Sequence, residues 1–189
     1  MTNTTLNTSD LTPVFPDDTL RRAADLAANP YRPLWTGASG EQSSGEAVAR
    51  HLEATSALLE RDGWIRAYDH GKDWATGTHL GDDDSMSVKD MLRQLLHLIR
   101  DEIGTAPHRT LSTALRHVGE AGRDGDTDTA AVASEVLDLI IRAHTGAEYA
   151  RATPWSERQH RTHADITALL AAGARFARAY GPAATQAGK

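Results

Sequence analysis

Three groups of side chains carry the types and spacings that chemistry requires. Asp124, Asp126, Asp128 and Glu135 fall at positions 1, 3, 5 and 12 of a segment counted from Asp124, as the oxygen ligands of an EF-hand calcium loop do. Thr129 stands where the sharp turn of such a loop needs glycine, and Val132 at position 9 brings no side-chain oxygen. The first reading is therefore a solvated turn that caps the next helix, with calcium as the alternative. His70, Asp73 and His79 form the second group: two imidazoles and a carboxylate satisfy a zinc or iron site. They lie on no regular element, so a polar surface loop is the first reading and a divalent metal the second. No cofactor is expected otherwise. The chain has no cysteine, which excludes thiol nucleophiles and thiolate metal sites. No serine has a readable base, and no glycine-rich phosphate loop precedes a helix.

The third group is aromatic and basic. Trp64 and Trp155 stand at helix ends and read as core anchors. Trp35 and Trp74 stand on polar stretches and read as exposed contact residues. Arg158 and Arg161 flank the turn after Trp155, in a late run of arginines that includes Arg151, Arg175 and Arg178. If Trp155 were exposed beside them, this turn would be the best partner-binding surface; the expectation is that it is buried.

Hydrophobic periodicity supplies the elements that position these groups. A Thr/Asn/Pro-rich tail, 1–16, precedes a short Ala-rich helix from 17 to 28, which Asn29-Pro30 stops. Ser43 and Glu46 have capping-box spacing before a helix that runs to about Arg61, with Val48, Leu52, Thr55 and Leu59 on one face. Asp62-Gly63 ends it and turns Trp64 back. Residues 65–85 are polar. Helices are then predicted over 87–103, 108–121, 129–145 and 163–180, the last capped by Thr162 with Asp165 three residues on. Gly173 interrupts its apolar stripe, which points to close approach of a neighbour. The tail 182–189 follows. Strand alternation is absent, so the expected fold is all-α: one compact bundle of five or six helices over 17–181, with one long polar loop.

Two resemblances can be placed on this frame. Leu58-Leu59-Glu60-Arg61-Asp62-Gly63-Trp64 and the Trp155 segment together resemble a family of small uncharacterised proteins of actinobacteria and their phages, a domain of unknown function. Its members have a helix ending in Gly-Trp, a C-terminal Trp-Asn-Asp turn, and an Arg-Thr pair leading into the last helix. Trp155-Ser156-Glu157 replaces Trp-Asn-Asp here, while Arg161-Thr162 matches. The family's middle Cys and Gly-Ala-Leu pattern is missing, unless Gly77-Thr78-His79-Leu80 is its relic. The resemblance spans roughly 47–180 and implies no catalytic residues. Ser87-Val88-Lys89-Asp90-Met91-Leu92 is similar to the start of the metal-bearing helix of damage-inducible, thiol-transferase-like four-helix bundles. Gln94 occupies the place of that family's histidine, so helix capping accounts for the match.

The net charge of −6 argues against an obligatory nucleic-acid partner. Seventeen of the 20 cationic residues are arginine, which with the Ala and Gly richness suggests a GC-rich actinobacterial or phage genome. No apolar run approaches a membrane span, and the N-terminus lacks the pattern of a signal peptide. The sequence thus predicts a cytoplasmic, non-enzymatic accessory or protein-interaction module, with another protein as partner and homo-oligomerisation left open. The alternative is a metal-dependent enzyme or metal-binding protein using the 65–84 loop.

Overall fold

The structure, a computed structural model, describes residues 13–28, 33–67, 108–121 and 125–183. Its elements are α1 (Asp17–Ala27), α2 (Gly45–Asp62), α3 (Leu111–Glu120), α4 (Thr127–Thr145), the single turn α5 (Ala152–Ser156) and α6 (His163–Tyr180). The fold is all-α. Among the described residues, β-type pairing is limited to the isolated bridges Thr36–Gln42 and Trp64–Arg109. The predicted helix over 87–103 lies outside the described residues. The turn α5 was not expected.

α2 and α6 form an antiparallel seam through the middle of the bundle. Two glycines set how closely they meet. A Cβ on Gly45 would come within 2.2 Å of the Ala177 carbonyl oxygen, and one on Gly181 within 2.4 Å of Gly45 Cα. Further along, a Cβ on Gly173 would press on Leu137 Cδ2 at 2.7 Å and Leu52 Cδ1 at 2.8 Å. This is the close approach that the interrupted stripe of the last helix predicted. α4 lies across the pair, burying Val132, Val136, Leu137, Ile140 and Ile141. α3 and α1 pack on its two sides.

Caps tie these elements at defined points. Ser44, one residue later than expected, caps α2 by accepting the Ala47 N–H at 3.1 Å. Ser43 is buried instead, its hydroxyl 3.0 Å from Thr129 Oγ1. Glu46 is thereby free to meet α6. Thr162 and Asp165 make the expected capping box on α6. Thr55 returns its hydroxyl to the His51 carbonyl at 2.9 Å, so its methyl can face the core. His51 is itself buried and donates from Nε2 to the Leu115 carbonyl at 3.1 Å, joining α2 to α3. Burial holds its pKa below the usual 6.5, against the opposing pull of the Leu115 hydrogen bond and of Asp126.

The α2 terminus behaves as read. Gly63 has φ +83° and donates to Leu59 O at 2.9 Å. Trp64 is half-buried against the core. Residues 63–65 run beside 109, with Arg109 N donating to Gly63 O at 2.9 Å and Ile65 N to Arg109 O at 3.0 Å. Asp62 accepts from Arg61 and Arg109, which hold its carboxyl well below the usual carboxylate range.

One boundary needs correction. The tail set at 1–16 includes Phe15, which is 2% exposed and part of the core. Pro16 is the N-cap of α1. Phe15 and the buried Leu20 thus occupy N′ and N4, the spacing of a hydrophobic staple that fixes how the chain enters the helix.

Candidate interaction face

The segment that carries Trp155 is built to hold it. Asp138, on α4, accepts the Ala152 N–H at 2.7 Å and lies 3.8 Å from Arg151, so it anchors the first turn of α5. Burial pushes the Asp138 carboxyl up, opposed by that hydrogen bond and by Arg151 and Arg142. Pro154 fits because the first helical turn has no internal partner for its missing N–H. Ser156 closes the turn by donating to Thr153 O at 2.7 Å.

Trp155 is 2% exposed, as expected. Its aromatic partner lies just before α1. Phe15 packs against it at 5.9 Å between centroids and also against His144 at 4.9 Å. The link to the Trp64 segment is made by the polar turn instead: Ala67 N donates to Glu157 Oε2 at 2.6 Å and Arg66 donates to the Gln159 carbonyl. The Arg161 guanidinium lies over the Trp155 ring, 3.9 Å from its centroid, in cation–π geometry. Trp155 Nε1 and Arg161 Nε are both buried without a hydrogen-bond partner among the described residues. Burial holds the Arg161 pKa below its usual value, with Asp165 opposing and Arg158 reinforcing. His144 is likewise held low, by partial burial of its ring and then by Arg161 and Arg22.

The pairing of arginines separates this face from the rest. Among the described residues, Arg21, Arg50, Arg61, Arg109, Arg116, Arg151, Arg175 and Arg178 each have a carboxylate within 4 Å. Arg22, Arg142, Arg158 and Arg161 have none that close among the described residues, although Asp138 acts on Arg142 and Asp165 on Arg161 at longer range. They are linked in steps: Arg22 and Arg161 both act on His144, Arg158 acts on Arg161, and Arg22 and Arg142 line one groove between α1 and the end of α4. That groove has a volume of about 590 Å³.

The other residues singled out from the sequence are placed as follows. Asp126 caps α4, accepting from Asp128 N at 2.9 Å and Thr129 N at 3.0 Å, and from the Thr129 hydroxyl. Those bonds hold its carboxyl below the usual range. Asp128 accepts from the backbone and hydroxyl of Ser39, and so ties the 35–43 loop to α4. Glu135 is half-buried further along α4. This is the capping arrangement, with both carboxylates engaged in holding the helix start. Asp124, His70, Asp73, Trp74 and His79 lie outside the described residues. Among the described residues no group of three or more His, Asp or Glu side chains is placed to hold a metal ion. Trp35 is half-buried and stacks on Phe176 at 6.2 Å, so it is a packing anchor and not the freely presented ring expected of it. Arg158 is exposed and Arg161 half-buried on the same turn, as described.

Sequence reasoning missed Phe15, His144, Arg22 and Arg142. The staple spacing from Phe15 to Leu20 could have found the first. The others follow from which arginines find carboxylates, and that depends on tertiary contacts.

Fold and surface define a small helical bundle whose distinguishing feature is an unpaired basic face beside a buried tryptophan. The chain belongs to a family of unknown function, DUF6197, whose model matches residues 43–176. That stretch runs from the residue before the α2 cap to Phe176 in α6, and leaves α1 and Phe15 outside it. No curated protein and no solved structure gave a match. No helix among the described residues is long and apolar enough to cross a membrane.

Proposed function

We propose that the protein is a non-enzymatic accessory module that acts by binding another protein through the face around Trp155 and Arg161. The observation that carries this reading is the segregation of its arginines. In a chain of net charge −6, eight of the thirteen described arginines have a carboxylate within 4 Å, while Arg22, Arg142, Arg158 and Arg161 have none that close among the described residues and lie about His144 and the groove between α1 and α4. Ion pairs on the surface form wherever a carboxylate is near and add little stability. A cluster left without them costs little but keeps its field directed outward, where it steers and orients a partner. The aromatic floor matters equally. Arg161 is held against Trp155, and pre-ordered arginine beside buried aromatic is the composition of interface hot spots. A cytoplasmic setting and an actinobacterial or phage origin belong to the same reading.

The test is affinity capture from a GC-rich actinobacterial host, with the wild type and the Arg142→Glu/Arg158→Glu variant compared by quantitative mass spectrometry. The reading expects a protein retained by the wild type and lost from the variant, at equal melting temperature. Stoichiometric zinc in protein purified without chelator, with no partner captured, would overturn it in favour of the His70, Asp73 and His79 alternative.

A further inference from the structure

The groove between α1 and α4 has a chemistry that narrows the partner. Its walls combine Leu26, Leu139 and Ala143 with Arg22 and Arg142. Leu26 is 48% exposed, although it sits on a helix whose other face is well packed. Tyr149, beside the groove residue Glu148, is 86% exposed. Val14, next to the Phe15 ring that packs on His144, is 42% exposed. Of the four exposed large apolar side chains among the described residues, Leu26 therefore lines this groove, and Tyr149 and Val14 are next in sequence to Glu148 and Phe15. The fourth, Tyr180, packs its ring on Phe176 at the far end of α6. Apolar exposure and arginine without a close ion pair are independent features, and they coincide at this groove.

We infer that this groove binds an amphipathic acidic segment of a protein partner: apolar side chains against Leu26 and Leu139, carboxylates toward Arg22, Arg142 and Arg161. The inference rests on the interaction-module reading and adds the partner's chemistry to it. The volume and apolar lining suit the side chains of a helix laid along two helices, the helix-in-groove mode of recognition. The charges choose between anionic partners. Asp25 and Glu148 also stand on the groove walls. An evenly charged phosphate backbone would be repelled at both. A peptide can place neutral or basic residues there and keep its acids for the arginines.

The probe is a fluorescein-labelled synthetic peptide with leucine at helical i, i+3, i+4 and i+7 spacing and glutamate on the flanks. Two controls accompany it, the same peptide with lysine for glutamate and a single-stranded oligonucleotide. Fluorescence anisotropy with the full chain is expected to show binding of the acidic peptide only. Affinity should fall about tenfold or more in Arg22→Glu/Arg142→Glu and should weaken between roughly 50 and 300 mM salt. Leu26→Ala, which changes no charge, should weaken it by a similar factor at low and high salt. Equal binding of the acidic and basic peptides, tighter binding of the oligonucleotide, or affinity unchanged in the double variant would each overturn the inference. So would a concentration-dependent dimer in sedimentation velocity that the double variant abolishes, since a second copy would then cover the groove. The two readings fail separately. A captured partner that the double variant still retains removes the groove and leaves the module; acidic-peptide binding with no captured partner does the reverse.

Discussion

Two of the grooves along this bundle treat arginine in opposite ways. In the groove between α2 and α6, about 420 Å³, Arg178 donates to both Glu46 and Glu53, and Arg175 reaches Asp17 and the Phe15 carbonyl. Every described cation there is paired, and the helices beneath it meet at Gly45 and Gly181 with no room for a methyl group. In the groove between α1 and α4, Arg22 and Arg142 are unpaired and leucine is exposed. The first groove is a seam between elements whose charges already answer one another. The second holds Asp25 and Glu148 beside Arg22 and Arg142, but no described pair of them closes to 4 Å. Arginine content alone therefore says nothing of binding; what counts is whether the fold brings a carboxylate close.

The largest effect is expected from Trp155→Ala, which empties the space shared with Phe15 and should lower stability by about 3–5 kcal/mol in urea unfolding. A loss under 1 kcal/mol would mean that the turn is not anchored as described. Gly45→Ala should cost about 1–3 kcal/mol, because backbone and not a flexible side chain blocks the added methyl. An unchanged midpoint would show that the seam yields. Asp126→Ala should cost about 1 kcal/mol through the lost α4 cap. Calcium should leave the wild-type melting temperature unchanged, and a rise with calcium would restore Asp124, Asp126, Asp128 and Glu135 as ligands.

The dependence on pH separates the two sides more finely. Glu46 and Glu53 are held low chiefly by their hydrogen bonds from Arg178. Their contribution is complete above the unfolded value of 4.5 and is lost as pH falls through the lower folded values. His51 has a folded pKa below 6.5, so the unfolded chain takes up its proton first. Stability is then full above 6.5 and declines as pH falls from there toward the folded pKa. Urea midpoints of His51→Gln should decline less over that interval than those of the wild type. Equal slopes would show that His51 protonates freely in the folded state.

Much of the frame was legible because local rules and tertiary packing agree. The last helix was read from a capping box that forms as expected, and Gly173 was read as a contact point because a glycine inside a helix costs stability unless something fills its space. Where the reading slipped, a longer-range partner decided. Ser43 had capping-box spacing with Glu46, yet Thr129 takes its hydroxyl and Arg178 takes the glutamate, moving the cap to Ser44. Trp35 stood on a polar loop, but Phe176, far along the chain, gives its ring a surface. Phe15 was assigned to a tail by composition, although its spacing to Leu20 marks a staple. The candidate face was the least legible part. Trp155, Arg158 and Arg161 are adjacent in sequence and were noticed, whereas Arg22 and Arg142 join them only through the packing of α1 on α4.

The central claim is that the paired groove maintains the fold while the unpaired groove binds. One experiment compares the wild type with Arg178→Glu and with Arg22→Glu/Arg142→Glu, measuring urea unfolding and anisotropy of the acidic amphipathic peptide on the same preparations. The account predicts that Arg178→Glu lowers the unfolding midpoint and leaves peptide affinity intact. It predicts that the double variant stays within about 0.5 kcal/mol of wild-type stability and loses the peptide. Loss of stability in the double variant with peptide affinity preserved would contradict it.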